Sequence, residues 1–105
     1  LENTPPGQDA MSAFLDYEKT GSQLVVRPRN NGDRFQPLGM EQLKKLQDFM
    51  VDARIPRAWR DGIPLVCAPD QILWVVGWRI DGRVRVTEST RKVLCLRFLR
   101  EPEQR

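Results

Sequence analysis

Apolar positions along this chain fall into short alternating runs, with one stretch of helical spacing among them. Ala13-Phe14-Leu15 is a short apolar run that fits an edge strand. Gln23 to Arg27 reads as a strand, ending at Pro28, which has no N–H to offer a ladder. Asn30-Asn31-Gly32-Asp33 is a turn by composition. From 41 to 53 the spacing changes. Leu43, Leu46, Phe49, Met50 and Ala53 recur every three or four residues and predict one helix with one apolar face. Glu41 precedes Lys45 by four residues, the favourable order for an ion pair along a helix, and an acid suits the positive N-terminal end. The helix stops near Arg54, because the residue before Pro56 is pushed out of helical geometry. A second helical turn is predicted over 56–61, opened by Pro56 and closed by Gly62.

Beyond Ile63 the pattern is β. Pro64 to Cys67 reads as a strand, and Ala68-Pro69-Asp70-Gln71 as a type I turn with proline second. Ile72 to Val76 is apolar on both faces, which suits a central strand. Gly77 marks a bulge or bend. Asp81-Gly82 is a hairpin signal between Trp78-Arg79-Ile80 and Arg83 to Val86, with Val84 and Val86 inward and Arg83 and Arg85 outward. Thr87 to Thr90 is a polar connection, and Val93 to Leu99 a closing strand with Leu94, Leu96 and Phe98 on one face. The sum is a β-rich α+β domain, with mixed or antiparallel strands and one main helix packed on the sheet.

At 105 residues and 40% hydrophobic, the chain suits one compact domain with a single core. Residues 1–10, with Pro5-Pro6-Gly7 and almost nothing apolar, read as a linker that suggests a preceding domain. The domain then covers 11–100, and 101–105 read as a tail. No run approaches the roughly 20 apolar residues of a membrane span, so no membrane is expected as a partner. No secretory signal is visible.

Charge changes the picture more than composition does. The net charge is only +3, but residues 24–60 carry +4 and residues 79–100 carry +5, mostly as arginine. Arginine forks onto phosphate oxygens. A polyanion such as RNA and a solvated surface of ordinary ion pairs both fit this distribution. Within it, Arg27, Arg29 and Arg34 flank a turn that Pro28 stiffens, so less entropy is lost when a ligand fixes them. Gly32 and Asp33 are expected to build that turn, with Asp33 capping exposed N–H groups. If the chain folds back at Gly32, then Arg27, Arg29, Arg34, Lys44 and Lys45 share one surface. With Arg79 they form the expected RNA-binding set.

The candidate chemistry is thin. Without histidine, histidine acid–base work and histidine metal ligation are excluded, and no P-loop or Rossmann glycine pattern appears. Asp48 and Asp52 lie four apart and read as a solvated face beside Lys44 and Lys45. No catalytic residue and no metal site is expected. Cys67 and Cys95 each sit in an apolar run and read as reduced core thiols, with a structural disulfide as the alternative. Trp74, inside a wholly apolar strand, belongs to the core. Trp59 and Trp78 fit either the core or its edge, the expected place, or base stacking.

The residues also carry a resemblance. Val26-Arg27-Pro28-Arg29, Gly32-Asp33-Arg34-Phe35, Pro37-Leu38-Gly39-Met40, Lys44 to Phe49, Asp52-Ala53-Arg54-Ile55-Pro56, Arg60, Ile63-Pro64-Leu65 and Ile72 to Asp81 follow one another with spacings intact. In series, from about residue 13 to 98, they are similar to the C-terminal domain of bacterial tRNA(Ile)-lysidine synthetase. Asn30-Asn31 departs from the basic residue and proline expected there. The resemblance implies a fold of the PheT/TilS type, shared with a module of the phenylalanyl-tRNA synthetase β subunit. It implies a cytoplasmic ligase that uses ATP with magnesium to adenylate the wobble cytidine of a CAU-anticodon tRNA(Ile). Lysine then displaces AMP to give lysidine. That chemistry belongs to an N-terminal catalytic domain with a Ser-Gly-Gly loop, so no cofactor is expected in this domain and the isolated chain is expected to be inactive. The implied role is to engage the tRNA body, notably the acceptor stem. The implied partners are tRNA(Ile) and the enzyme's own catalytic domain. The rival is a structural or dimerising module, including a homodimer, that orients the catalytic domain and touches RNA little.

Overall fold

The structure, a computed structural model, describes residues 11–99. The expected linker at 1–10 and tail at 101–105 lie outside the described residues. The chain runs through β1 (Ser12–Asp16), α1 (Tyr17–Thr20), β2 (Val25–Arg27), β3 (Arg34–Phe35), β4 (Lys44–Lys45) and α2 (Leu46–Asp52). A 3-10 helix, Arg57–Gly62, leads to β5 (Leu65–Ala68), β6 (Gln71–Val75) and β7 (Arg79–Ile80). A second 3-10 turn, Gly82–Val84, precedes β8 (Val93–Arg97). All pairing is antiparallel: β1 with β8, β3 with β4, and a four-stranded sheet in the order β2-β5-β6-β7. The domain is a β-rich α+β fold, and no helix among the described residues is long and apolar enough to cross a membrane.

The sheet separates two apolar clusters. Phe35, Leu46, Phe49, Met50 and Ile55 pack with Leu65, Cys67, Ile72 and Val75 on one side. Ala13, Leu15 and Val84 pack with Val66, Leu73, Trp74 and Val76 on the other. That is why Ile72 to Val75 of β6 are all apolar. The register shifts between Val66 and Cys67, because Cys67 pairs with Ile72 while Val66 pairs with Trp74. Leu73 is thus an extra residue in β6, and the bulge turns Ile72 and Trp74 to opposite clusters. Leu94, Leu96 and Phe98 pack partly buried against the second cluster, as their alternation predicts.

Several expectations are corrected. The helix is shorter than 41–53: residues 44–45 are strand, and Leu43 is exposed. Phe35 is wholly buried, and the ladder that brings it in pairs β3 with Lys44 and Lys45, overriding their helical spacing. Glu41 and Lys45 therefore both lie outside the helix. Leu46, Phe49 and Met50 face inward as predicted.

Asp81-Gly82 is not a hairpin turn. The hairpin between β6 and β7 closes earlier, where the Trp78 N–H donates to the Val75 carbonyl at 2.9 Å and Gly77 sits at φ 87°. Asp81 is fully buried, and its carboxylate accepts from the Gln36 N–H (2.9 Å), the Arg83 N–H (2.8 Å) and the Arg83 guanidinium. Gly82 is needed for close approach, since a Cβ there would stand 3.3 Å from the Leu38 Cα. Val84 is buried as expected, but Val86 is exposed.

Cys95 is also corrected: it is exposed, on the face of β8 opposite Leu94 and Leu96, whereas Cys67 is buried as expected. Both are free thiols, and burial pushes the Cys67 thiol up.

Candidate nucleic-acid interface

The turn at 30–33 forms as its residues predict. The Asp33 N–H donates to the Asn30 carbonyl at 3.2 Å, and Gly32 takes φ 85°, a value glycine adopts without strain. Asp33 then does two things. It accepts from the Asn30 N–H at 2.7 Å, the expected capping role. It also receives the Arg27 guanidinium side by side, Nη1 to Oδ2 and Nη2 to Oδ1, each at 3.0 Å. Burial pushes the Asp33 carboxyl up. The Arg27 hydrogen bonds, the Asn30 N–H and the Arg27 charge together outweigh it and hold the carboxyl below the usual carboxylate range. The Asp33 hydrogen bonds push the Arg27 guanidinium up in turn. Arg27 is therefore the brace of this turn.

The turn delivers the chain into β3, whose partner is β4. Arg34 stands directly across from Lys45, and Phe35 across from Lys44. The Leu46 N–H bonds the Asp33 carbonyl at 2.9 Å, so by the antiparallel alternation Arg34 and Lys45 occupy the non-hydrogen-bonded kind of pair, in which side chains stand closer. Both are exposed, and neither has a hydrogen bond or ion pair among the described residues. Like charges facing one another across a ladder are destabilising. Phe35 and Lys44 point the other way, Phe35 into the core and Lys44 along its edge to an ion pair with Asp52.

Shallow grooves flank this ribbon. One, of about 450 Å³, lies between the 30–33 turn and the start of α2, with Arg29 and Lys45 in its walls. A second, of about 520 Å³, takes Arg34 and Lys45 with Lys44. A third, of about 460 Å³, is lined by Arg27 and Arg34 and also by Arg83, a residue outside the expected RNA-binding set. Arg83 is held against buried Asp81 at 2.9 Å, and the hydrogen bonds to Asp81 push its guanidinium up. Arg29 donates from Nε to Asp61 at 2.8 Å. Three acids near the ribbon are engaged with cations, Asp33 with Arg27, Asp61 with Arg29 and Asp52 with Lys44, while Asp48 lines the second groove and Asp70 the third without an ion pair among the described residues. No group of three or more His, Cys, Asp or Glu suited to a metal ion occurs among the described residues.

Of the six expected contact residues, the structure brings Arg27, Arg29, Arg34, Lys44 and Lys45 around one ribbon. Arg79 is set apart. Its guanidinium lies 5.4 Å from the Phe49 ring centroid, and it lines a separate groove with Phe14, Leu38 and Trp78. Trp74 is core, as expected, but Trp59 and Trp78 are both exposed.

A family profile described as the TilS substrate C-terminal domain matches residues 24–96. The chain is 48% identical over 91 residues to a tRNA(Ile)-lysidine synthase of Dehalococcoides mccartyi (strain CBDB1), which covers 87% of the chain but 19% of that protein. It is 47% identical over 88 residues to the tRNA(Ile)-lysidine synthase of Caldanaerobacter subterraneus subsp. tengcongensis, covering 84% of the chain and 19% of the relative. The chain therefore spans about a fifth of the length of these curated relatives. A crystal structure of a TilS C-terminal domain superimposes with a TM-score of 0.68 at 27% identity, covering 88% of this chain and 74% of that one. An N-terminal fragment of the phenylalanyl-tRNA synthetase β subunit from Pyrococcus horikoshii shares the fold, with a TM-score of 0.63 at 17% identity over 80% of this chain and 26% of that one.

Proposed function

The chain belongs to the family of TilS substrate C-terminal domains, and from that premise we propose that it grips tRNA through the outer face of the β3–β4 ribbon. One observation carries this reading. Arg34 and Lys45 face each other across the ladder, exposed and without an ion pair among the described residues. Their mutual repulsion is offset when a phosphate lies between them. Arg29 beside them has only a quarter of its side chain exposed and is already aimed by Asp61. Arg27 and Asp33 hold the turn that sets the ribbon's position.

A-form RNA hides its base edges in a deep, narrow groove, so contacts from such a ribbon go chiefly to phosphates and 2′-hydroxyls. The acceptor stem of a tRNA(Ile) with a CAU anticodon is the duplex this reading assigns to it. The reaction, ATP-dependent formation of lysidine at the wobble cytidine, is assigned to a catalytic domain outside this chain, together with ATP and magnesium. The chain itself contributes orientation. The same reading places it in the cytoplasm.

A second reading, a module that docks the catalytic domain or a second copy, is favoured by one feature. Phe14, Leu38 and Trp78 are each about two-fifths exposed around one groove. A salt titration with a tRNA acceptor-stem duplex separates the two readings. RNA binding by this chain that weakens as salt rises, and is lost on changing Arg34 and Lys45 to alanine, supports the first. No RNA binding, with association of proteins through the Phe14 groove, supports the second.

A further inference from the structure

The largest side chain left in water lies outside the ribbon. Trp59 is 60% exposed, against 39% for Trp78 and 2% for Trp74. It is also firmly placed. Its backbone N–H donates to the Pro56 carbonyl at 2.9 Å, and the next residue, Arg60, ties the 3-10 helix back to the Ile55 carbonyl at 3.0 Å. Asp61 reaches Arg29 at 2.8 Å, which joins this helix to the groove that Arg29 and Lys45 line.

The sequence around Trp59 is rich in cations. Arg54 and Arg57 are exposed or partly so, with no side-chain hydrogen bond or ion pair among the described residues. The neighbouring acids Asp52 and Asp61 are taken up by Lys44 and Arg29. Arg54 sits at φ 61° in the left-handed region. It ends α2 in the pattern that usually has glycine there: the Arg54 N–H bonds Val51 and the Ile55 N–H bonds Met50, both at 3.0 Å. A charged side chain is thus held in a strained position without an internal partner. Between Val51 and Trp78, Trp59 is also the only large apolar side chain exposed among the described residues. A protein-docking surface is expected to be a contiguous apolar patch. An exposed ring with unpaired arginines close to it in sequence suits single-stranded RNA, with a base on the aromatic face and cations on the flanking phosphates.

We propose that Trp59 is a stacking platform for an unpaired RNA base, with Arg54 and Arg57 on the phosphates beside it. This rests on the reading that the ribbon grips an RNA duplex, and it adds that the bound RNA carries a single-stranded extension reaching the 3-10 helix.

The test compares two RNAs on the 105-residue chain: a blunt duplex, and the same duplex with a short single-stranded 3′ extension. The expected result is tighter binding of the extended RNA. Trp59→Ala should weaken binding of the extended RNA by roughly tenfold or more, the range of a base–aromatic stack, and leave the blunt duplex unchanged. Trp59→Phe should retain most of the gain. Arg54→Gly, which relieves the left-handed strain, should raise the unfolding temperature while weakening extended-RNA binding. Equal binding of the extended RNA by the wild type and Trp59→Ala overturns the inference while leaving the ribbon's role standing. Loss of self-association in Trp59→Ala, with RNA binding unchanged, also overturns it and makes a second copy the occupant. If the wild type binds neither RNA, the tRNA-gripping reading itself fails, and this inference with it.

Discussion

Phe35 and Phe49 meet edge to face, with ring centroids 5.1 Å apart and ring planes at 89°. The contact joins β3 to α2, and so joins the ribbon that carries Arg34 to the helix that follows Lys45. Edge-to-face pairs add roughly 0.5–1.5 kcal/mol beyond the area they bury. Arg79 covers the Phe49 ring as well.

Phe49→Ala should therefore destabilise the domain by about 3–5 kcal/mol, as truncations of large core side chains do. Denaturant unfolding measures it. A change well under about 1 kcal/mol would mean that the helix does not anchor this core.

The Arg27–Asp33 pair should be a stability element and not an RNA contact. Asp33→Ala should cost about 1.5–3 kcal/mol, the range for hydrogen bonds to charged groups. The Asp33 carboxyl titrates below its usual range in the folded protein. Its contribution is therefore complete above the unfolded value of roughly 4 and is lost as pH falls through the lower folded value. In wild-type protein, unfolding free energy should drop over that acid window, and the Asp33→Ala protein should show a shallower drop. Parallel curves would exclude Asp33 as a source of the acid sensitivity.

Arg34→Ala combined with Lys45→Ala should give the opposite pattern. Binding to tRNA should weaken, and its salt slope should fall by somewhat under one unit for each phosphate no longer neutralised. Stability should hold or rise slightly, because a cross-strand repulsion is removed. Arg97→Ala, on β8 and away from the ribbon, is the control and should leave the slope unchanged. A double variant that binds normally at physiological salt would remove the ribbon from the RNA site.

The two thiols should separate kinetically. Cys95 is exposed and Cys67 buried, with burial also pushing the Cys67 thiol up. A thiol reagent should label one site quickly in the native protein and the second only on unfolding. Two fast sites, or none, would contradict the placement of β8.

Local chemistry alone was enough for the parts of this domain that close within a few residues. The turn at 30–33 depends on a glycine and an aspartate that act on their own backbone, and the stop of α2 before Pro56 on a neighbouring ring. The inward face of β8 followed from strict alternation. Where pairing is non-local, the sequence was ambiguous. Lys44 and Lys45 fit the helical period, and only the burial of Phe35, well upstream of them, drew them into a strand. Asp81-Gly82 fits a hairpin as well as it fits the cap of a 3-10 turn, and the N–H of Gln36 decided between them. The same limit applies to charge. Counting residues located the basic segments, but not which cations were already taken: Asp33, Asp61 and Asp52 hold Arg27, Arg29 and Lys44 and leave Arg34 and Lys45 free among the described residues. An ion pair such as Arg29 with Asp61 spans 32 residues of chain, and no local pattern encodes it, because its energy exists only once the fold has brought the two charges together.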